Sequence, residues 1–110
     1  MICAEWVPTL AAFQDFARLS GDDNPIHTDP AFAATHPFGR PVAHGMLIHA
    51  AVHALAARTG LGPMARVEIM FPNPAYADEP VTLTIRTGSP VQATACRADG
   101  TPVYVARWTP

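Results

Sequence analysis

The sequence predicts an α+β fold in which helices come first and a run of strands follows. The segment from Gly45 to Thr59 has helical length and is apolar on nearly all sides, which is typical of a buried helix. Beyond residue 65, apolar residues instead alternate with polar ones, which indicates strands. Consecutive strands with short connections pair antiparallel, and helices grouped before such strands are typical of α+β proteins. The 110 residues contain no internal repeat or linker, so we expect one domain over residues 1–110.

The N-terminal segment predicts a short strand and then an amphipathic helix. Residues 1–8 are apolar and end at Pro8, which favours an abbreviated strand. Thr9 carries a hydroxyl that accepts orphan backbone N–H bonds, so we expect it to cap the helix. Ser20-Gly21 ends this helix, since Gly21 tolerates the left-handed conformation. Four apolar residues recur at three-residue spacing and predict one buried stripe: Leu10, Phe13, Phe16 and Leu19.

A loop and a short helix are predicted next. Residues 22–28 are expected to form the loop because Asn24-Pro25 cannot continue a helix. Asp29 precedes a proline and has the character of an N-cap. We therefore expect a short helix from Pro30 to Ala34.

The long apolar helix ends at Gly60, and its uniform hydrophobicity requires other elements to wrap around it. The strands that follow are expected to supply this cover. Asp99-Gly100 is a strong hairpin signal between the last two of them. The four predicted strands cover residues 66–71, 81–86, 91–98 and 102–108.

Composition and charge exclude several classes of function. The net charge of −2 argues against binding nucleic acid through a phosphate-neutralising patch. All seven basic residues are Arg, which excludes a Schiff-base lysine or a P-loop lysine. No segment is long and apolar enough to predict a membrane span. Cys3 and Cys96 show no motif spacing and no signal peptide precedes them, so we expect two free thiols and a cytoplasmic protein.

Asp22 and His27 are the leading candidates for catalysis. They lie five residues apart in the predicted loop, one offering a carboxylate and the other an imidazole. These two groups can divide the roles of general base and general acid near neutral pH, and both can contact the same water. Taken as isolated residues, they fit better an aspartate that stabilises a turn and a structural histidine.

Two linked stretches resemble a known family. The pattern Phe-x-x-Leu-Ser-Gly-Asp-x-Asn-Pro-Ile-His over residues 16–27, with Ala33 after it, resembles the hydratase motif of the MaoC-like family, which includes (R)-specific enoyl-CoA hydratases. The stretch Gly-Arg-Pro-Val-Ala-His-Gly-Met over residues 39–46 resembles the helix entry of the same family. The resemblance implies a hot-dog fold, with an antiparallel sheet around the long helix, and a homodimer. It also implies reversible hydration of a trans-2-enoyl thioester to an (R)-3-hydroxyacyl thioester.

The resemblance also implies roles for individual residues. Asp22 and His27 would activate the water, with Asp22 as the base and His27 as the acid. Gly45 begins the long helix, where its backbone N–H and the helix dipole can polarise the thioester carbonyl. We place its neighbours His44 and Met46 in the same carbonyl- and substrate-binding group, with orientation of the loop or a structural hydrogen bond as the alternatives for His44. Asn24 is expected to hold the shape of the loop between the two catalytic residues.

His53 is where the sequence departs from the family pattern. The related hydratases have a small hydroxyl residue near this position, which supports the catalytic aspartate. Either His53 takes over that hydrogen bond to Asp22 or the pocket differs. His49 and His53 also have zinc-ligand spacing, but the glutamate of a His-Glu-x-x-His site is absent and no third ligand follows. We therefore expect neither a metal nor a cofactor. Arg40 is a candidate for either a coenzyme A phosphate or a salt bridge.

Several functional alternatives remain open at this level. The substrate can be carried as a coenzyme A thioester or on the phosphopantetheine of an acyl-carrier protein. A hot-dog protein that binds acyl thioesters without catalysis is a second possibility, and the intact Asp22–His27 pair argues against it. A thioesterase is a third, and it would need its carboxylate beside the carbonyl carbon.

Overall fold

The computed structural model describes residues 1–109. These residues form four helices and one five-stranded sheet, and four of the five strands follow the helices. Strand β1 covers Ile2–Trp6 and precedes all the helices. The helices are α1 (Leu10–Ser20), α2 (Pro25–Thr28), α3 (Pro30–Ala34) and α4 (Gly45–Arg58). The remaining strands are β2 (Arg66–Met70), β3 (Val81–Arg86), β4 (Val91–Arg97) and β5 (Pro102–Thr109). This order confirms the predicted α+β class.

The strands form one antiparallel sheet in the order β1-β3-β4-β5-β2. β4 and β5 are joined by the predicted hairpin, in which Gly100 has a φ of 86° and donates its N–H to the Arg97 carbonyl. β2 is one residue shorter than expected, because Phe71 is followed by a proline and leaves the sheet. β1 and β2 are the two edges of the sheet among residues 1–109.

Helix α4 packs on the sheet with one face and not with all of its surface. Its buried residues join the core formed by the inward side chains of β3, β4 and β5: Ile48, Val52, Leu55 and Ala56. The opposite face is exposed in the described chain: Met46, Ala50, His53, Ala54 and Ala57. The sheet therefore covers one face of the helix in a single copy of the described chain and leaves the opposite face uncovered. None of the helices within residues 1–109 has the length and apolar character that a bilayer crossing requires.

Helix α1 is capped as predicted, but its buried stripe is shorter. The Thr9 hydroxyl accepts the Ala12 N–H at 3.1 Å. Phe13 is fully buried, whereas Leu19 is 85% exposed. The predicted stripe was wrong at its end because nine residues span about two and a half helical turns, so Leu10 and Leu19 lie on opposite sides of the helix.

The segment predicted as a loop contains the short helix α2. As predicted, Asn24-Pro25 does not continue helix α1, but these two residues begin α2. The Asn24 side chain accepts the Ile26 N–H at 3.0 Å, and Pro25 occupies the first helical position, where its missing N–H costs nothing. α3 follows as predicted, with the Asp29 carboxylate accepting the N–H groups of Ala31 and Phe32.

Candidate active site

Asp22 lies in the turn between α1 and α2, directly after residues whose backbone is held by hydrogen bonds. Gly21 ends α1 in the left-handed conformation, with a φ of 81°, and donates its N–H to the Ala17 carbonyl. The Ser20 hydroxyl accepts the Asp22 N–H at 3.1 Å. Asn24 then caps α2, as the sequence predicts for a residue that shapes this loop. These local bonds fix the backbone on both sides of the Asp22 carboxylate, which is itself 58% exposed.

His27 faces Asp22 with one defined ring nitrogen. Its Nδ1 lies 2.8 Å from the Val42 carbonyl oxygen, and because a carbonyl only accepts, Nδ1 carries the proton and donates it. Nε2 then points toward Asp22, with 3.9 Å between Nε2 and Oδ2. This distance is too long for a direct hydrogen bond, but a single water can bridge it. The carboxylate and the imidazole are therefore arranged to share one water.

His44 lies behind this pair rather than beside a substrate. The side chain is 1% exposed, and its Nε2 lies 3.0 Å from the backbone carbonyl oxygen of Asp22. Its ring stacks on His27 with a centroid distance of 3.8 Å. Burial lowers the pKa of His44, so the ring is neutral and Nε2 holds its proton. Among the roles predicted for His44, this geometry fits a hydrogen bond that orients the loop better than a contact with the substrate.

Gly45 begins α4 with free backbone donors. Among residues 1–109, the N–H groups of Gly45 and Met46 donate to no protein acceptor, as expected for the first turn of a helix. The positive end of the helix dipole reinforces both groups. The Met46 side chain is 54% exposed. The first turn of α4 can therefore bind an oxygen that becomes negatively charged.

Phe71 covers Gly45 so closely that only glycine fits without a rearrangement. A Cβ atom at position 45 would lie 2.9 Å from two carbons of the Phe71 ring. Both residues line a cavity of about 400 Å³, which also contacts Phe38 and the segment 72–75. The first turn of α4 thus opens onto a largely apolar cavity.

The two sequence stretches meet through the backbone of residues 42–44. The Val42 N–H donates to the Ile26 carbonyl at 3.2 Å, and the Ala43 N–H donates to the Ala75 carbonyl at 2.8 Å. The strand-like segment before α4 is therefore fixed between α2 and the loop that precedes β3. This connection places the helix entry beside Asp22 and His27.

His53 does not reach Asp22 within the described chain. It is exposed on α4, and none of the hydrogen bonds described for residues 1–109 includes it. Its neighbour His49 bonds elsewhere, with 2.9 Å between Nδ1 and the Tyr104 hydroxyl oxygen. Burial raises the pKa of Tyr104, so its hydroxyl stays protonated in this bond. The hydrogen bond from His53 to Asp22 stays a prediction.

Arg40 forms a salt bridge rather than standing free. Its guanidinium lies 2.9 Å from a carboxylate oxygen of Glu79 and 3.9 Å from the centre of the Tyr76 ring. Of the two roles predicted for Arg40, the salt bridge is the one present.

One group of residues within 1–109 could hold a metal ion by distance alone. The ligand atoms of Asp22, His27 and His44 lie within 4.8 Å of one another. However, Nδ1 of His27 and Nε2 of His44 already donate to carbonyls, and the remaining nitrogen of His44 is buried. Only Asp22 and Nε2 of His27 remain accessible, and two ligands are fewer than the three of catalytic zinc sites. The donor set fits a water better than a metal ion.

Two contributors to the site carry no sequence signal of their own. Val42 acts through its backbone carbonyl, which no side-chain pattern reveals. Phe71 was predicted as a strand residue, and only the Phe-Pro pair at the end of β2 hints that it leaves the sheet.

The chain is similar in sequence to known proteins. The family model described as "MaoC like domain" matches residues 5–95. The chain is similar to an (R)-specific enoyl-CoA hydratase of Aeromonas caviae, with 39% identity over 87 residues, which is 76% of this chain and 60% of that protein. It is also similar to 3-hydroxyacyl-thioester dehydratase Y of Mycobacterium tuberculosis, with 36% identity over 81 residues, which is 69% of this chain and 28% of that protein.

A solved structure gives the same result for the fold. The (R)-hydratase from A. caviae involved in PHA biosynthesis superposes with a TM-score of 0.87 and 25% identity, over 97% of this chain and 89% of that one. This similarity confirms the hot-dog fold. The chain spans 60% or less of the length of the two relatives compared by sequence. With the family model, the fold and both sequence stretches in agreement, the chain belongs to the MaoC-like family.

Proposed function

We propose that the protein catalyses the reversible hydration of a trans-2-enoyl thioester to an (R)-3-hydroxyacyl thioester. The observation that carries this proposal is the pairing of the Asp22 carboxylate with Nε2 of His27 at 3.9 Å, a separation that one water can bridge. The names of the A. caviae and M. tuberculosis relatives support the reaction class. The (R) configuration rests on the name of the A. caviae hydratase.

The hydration step uses both groups of the pair. In the proposed mechanism the Asp22 carboxylate takes a proton from the water while the water oxygen bonds to Cβ, and the π electrons move onto the thioester oxygen. Protonated His27 then delivers the proton on Nε2 to Cα. The proton on Asp22 returns to Nε2 across the gap between them, so one water is added and both groups are restored. The hydrogen bond from Nδ1 to the Val42 carbonyl leaves Nε2 as the nitrogen that gives and takes up the proton in each step.

The thioester oxygen is placed at the first turn of α4 in this proposal. The free N–H groups of Gly45 and Met46 would donate hydrogen bonds to this oxygen and stabilise the negative charge that develops on it. Removing one such donor typically costs about 10²- to 10³-fold in rate. The adjoining cavity has room for the chain that leads away from the sulfur. Coenzyme A and the phosphopantetheine of an acyl-carrier protein both present that chain, and we favour coenzyme A because the A. caviae relative is named for it.

We further propose that the protein is a homodimer. The exposed face of α4 consists largely of alanine and includes Met46, while Met70 and Phe71 lie exposed at the end of edge strand β2. A second copy would cover these apolar groups, as oligomer interfaces do. Light scattering of the purified protein tests this, with a mass of twice the chain as the supporting result and that of one chain as the contradicting one.

A cytoplasmic location is proposed as well. Both Cys3 and Cys96 are free, which suits a reducing compartment. Fractionation of the native cells tests this proposal, and enrichment of the protein outside the cytoplasmic fraction would contradict it.

Removing metal ions should leave the activity unchanged. The proposed mechanism uses only protein side chains and backbone N–H groups, and the site offers only two accessible ligands to a metal ion. Dialysis against EDTA followed by assay in metal-free buffer checks this. Activity that falls on dialysis and returns with one added divalent metal would contradict the mechanism.

Substituting Gly45 with Ala should lower kcat/KM by about 10- to 100-fold, because displacement of the reacting groups by about 1 Å has effects of this size. The added methyl would push the Phe71 ring into the adjoining cavity. Stability should change by less than about 1 kcal/mol, since the gain in helix propensity opposes the contact and the 44% exposed ring can move.

Gly62→Ala is the matched control for this substitution. A Cβ atom there meets nothing within 4 Å, and Gly62 lies in the loop after α4. Steady-state kinetics and thermal unfolding of both variants provide the comparison. Equal kcat/KM in the two variants would contradict the role given to the first turn of α4.

The assay that tests the proposed function uses crotonyl-CoA. Loss of the conjugated-enoyl absorbance is followed while free thiol is measured in parallel. Enoyl loss without thiol release supports hydration, whereas thiol release indicates a thioesterase. If neither occurs with coenzyme A or acyl-carrier substrates of several chain lengths, the chain is a binding protein and the proposal fails.

A further inference from the structure

His44 is the one buried polar residue of the site whose side chain contacts both Asp22 and His27. Its Nε2–H donates to the Asp22 carbonyl, and its ring stacks on His27. We infer that His44 is a positioning residue, which acts through these two contacts to hold the carboxylate and the imidazole at the separation that one water bridges. This inference rests on the proposed function and assigns His44 no contact with the substrate.

The contact with Asp22 restrains a residue that is otherwise open to solvent. The Asp22 carboxylate makes no close hydrogen bond with any group in residues 1–109, and its position depends on its backbone. Ser20 bonds the N–H of Asp22, and His44 bonds its carbonyl. Losing the second bond would free the peptide that follows Asp22 and let the carboxylate move relative to His27.

The contact with His27 restrains the ring that transfers the proton. The two imidazoles are within 23° of parallel, with centroids 3.8 Å apart. On the α1 side, Phe16 meets His44 edge-on at 4.9 Å and Phe13 does so at 6.4 Å. His27 is thus fixed by the Val42 carbonyl at Nδ1 and by a rigid aromatic layer at its face.

Within residues 1–109, one of the two ring nitrogens of His44 is unpaired. Nδ1 of His44 is buried and has no hydrogen-bond partner within the described residues, which is unfavourable for folding. A phenylalanine of similar shape would remove this unpaired atom. The charged and titratable groups that face the ring are Asp22 and His27, and both belong to the proposed pair.

The backbone of His44 has a separate structural role, which side-chain substitutions do not change. Its carbonyl accepts the N–H groups of Leu47 and Ile48 and so starts α4. A side-chain substitution therefore leaves the start of the helix unchanged and isolates the two contacts of the ring.

Three substitutions separate the two contacts. His44→Phe keeps a flat ring and loses the donor, His44→Gln keeps a donor near Nε2 and loses the ring, and His44→Leu loses both. We expect kcat to fall by about 10- to 100-fold in His44→Leu and by less in the other two, with KM changed by less than about twofold. We also expect the unfolding temperature of His44→Phe to stay close to that of the wild type, because removal of the unpaired Nδ1 offsets the lost bond to the Asp22 carbonyl.

Trp108→Phe provides the matched control, because Trp108 is a buried ring on β5 whose Nε1 is likewise unpartnered. It should keep wild-type kcat. The inference fails if His44→Leu keeps kcat within about twofold, if KM changes in step with kcat, or if Trp108→Phe loses as much activity. Because wild-type activity on crotonyl-CoA is measured first, these outcomes are distinct from failure of the proposed function.

Nuclear magnetic resonance tests the same contacts without any activity. In the ¹⁵N-labelled wild type, His44 should be the neutral Nε2–H tautomer, with a slowly exchanging ring N–H. His44→Leu should shift the ring signals of His27 and the amide signal that follows Asp22. Rapid exchange of the His44 ring proton, or unchanged His27 signals in His44→Leu, would overturn the inference even for an inactive protein.

Discussion

Replacing Asp22 with Asn should lower kcat by about 10²- to 10⁴-fold, which is the range typical for loss of a general base. The amide is nearly isosteric with the carboxylate but cannot accept a proton from water. The exposed position of Asp22 and its bonds through the backbone mean that folding should be unaffected. Steady-state kinetics with crotonyl-CoA measures the effect, and circular dichroism with thermal unfolding verifies the fold.

Asp23→Asn is the matched control for this substitution. The neighbouring aspartate is also exposed and has no hydrogen bond or ion pair among those described for residues 1–109. It should keep wild-type kcat. Similar losses of kcat in both variants would indicate that the change in net charge causes the effect. Full activity in Asp22→Asn would refute the role of Asp22 as the base.

Replacing His27 with Ala should lower kcat to a similar extent, by about 10²- to 10⁴-fold, because the proton for Cα then has no donor. The substitution also leaves the Val42 carbonyl without its partner and removes the stack on His44, so a modest loss of thermal stability should accompany it. Kinetics and thermal unfolding of the same preparation measure both effects.

The variant Asp22→Asn/His27→Ala distinguishes a pair that shares one water from two independent groups. Residues that act as a unit show strongly non-additive effects, so the double variant should be only slightly slower than the slower single variant. Rates that fall by the product of the two single effects would contradict a shared water.

Much of the fold follows from local signals in the sequence. The helix over Gly45–Arg58 and the four later strands were predicted within two residues at each end, because hydrophobic periodicity and the Asp99-Gly100 turn act over short distances. The closeness of Asp22 and His27 is also local, since Asp22 lies in the turn after α1 and His27 in the short helix α2 that follows it. For these features, neighbouring residues determine the structure.

The remaining features depend on contacts between distant segments. His44 bonds Asp22 across 22 residues, and the Phe71 ring lies against Gly45 across 26 residues. Neither contact leaves a pattern in the sequence, so the sequence left the role of His44 open and predicted Phe71 as a strand residue. The uncovered face of α4 has the same origin, because uniform hydrophobicity indicates burial but not which partner supplies it.

The central claim is that water activated by Asp22 and His27 adds to Cβ of an enoyl thioester. The most direct test is to incubate the wild type with crotonyl-CoA in ¹⁸O-labelled water and locate the label by mass spectrometry. The proposed mechanism predicts one ¹⁸O atom in the 3-hydroxyl group, an intact thioester, and no incorporation with Asp22→Asn on the same timescale. Label found only in a released carboxylate, or equal incorporation by Asp22→Asn, would contradict it.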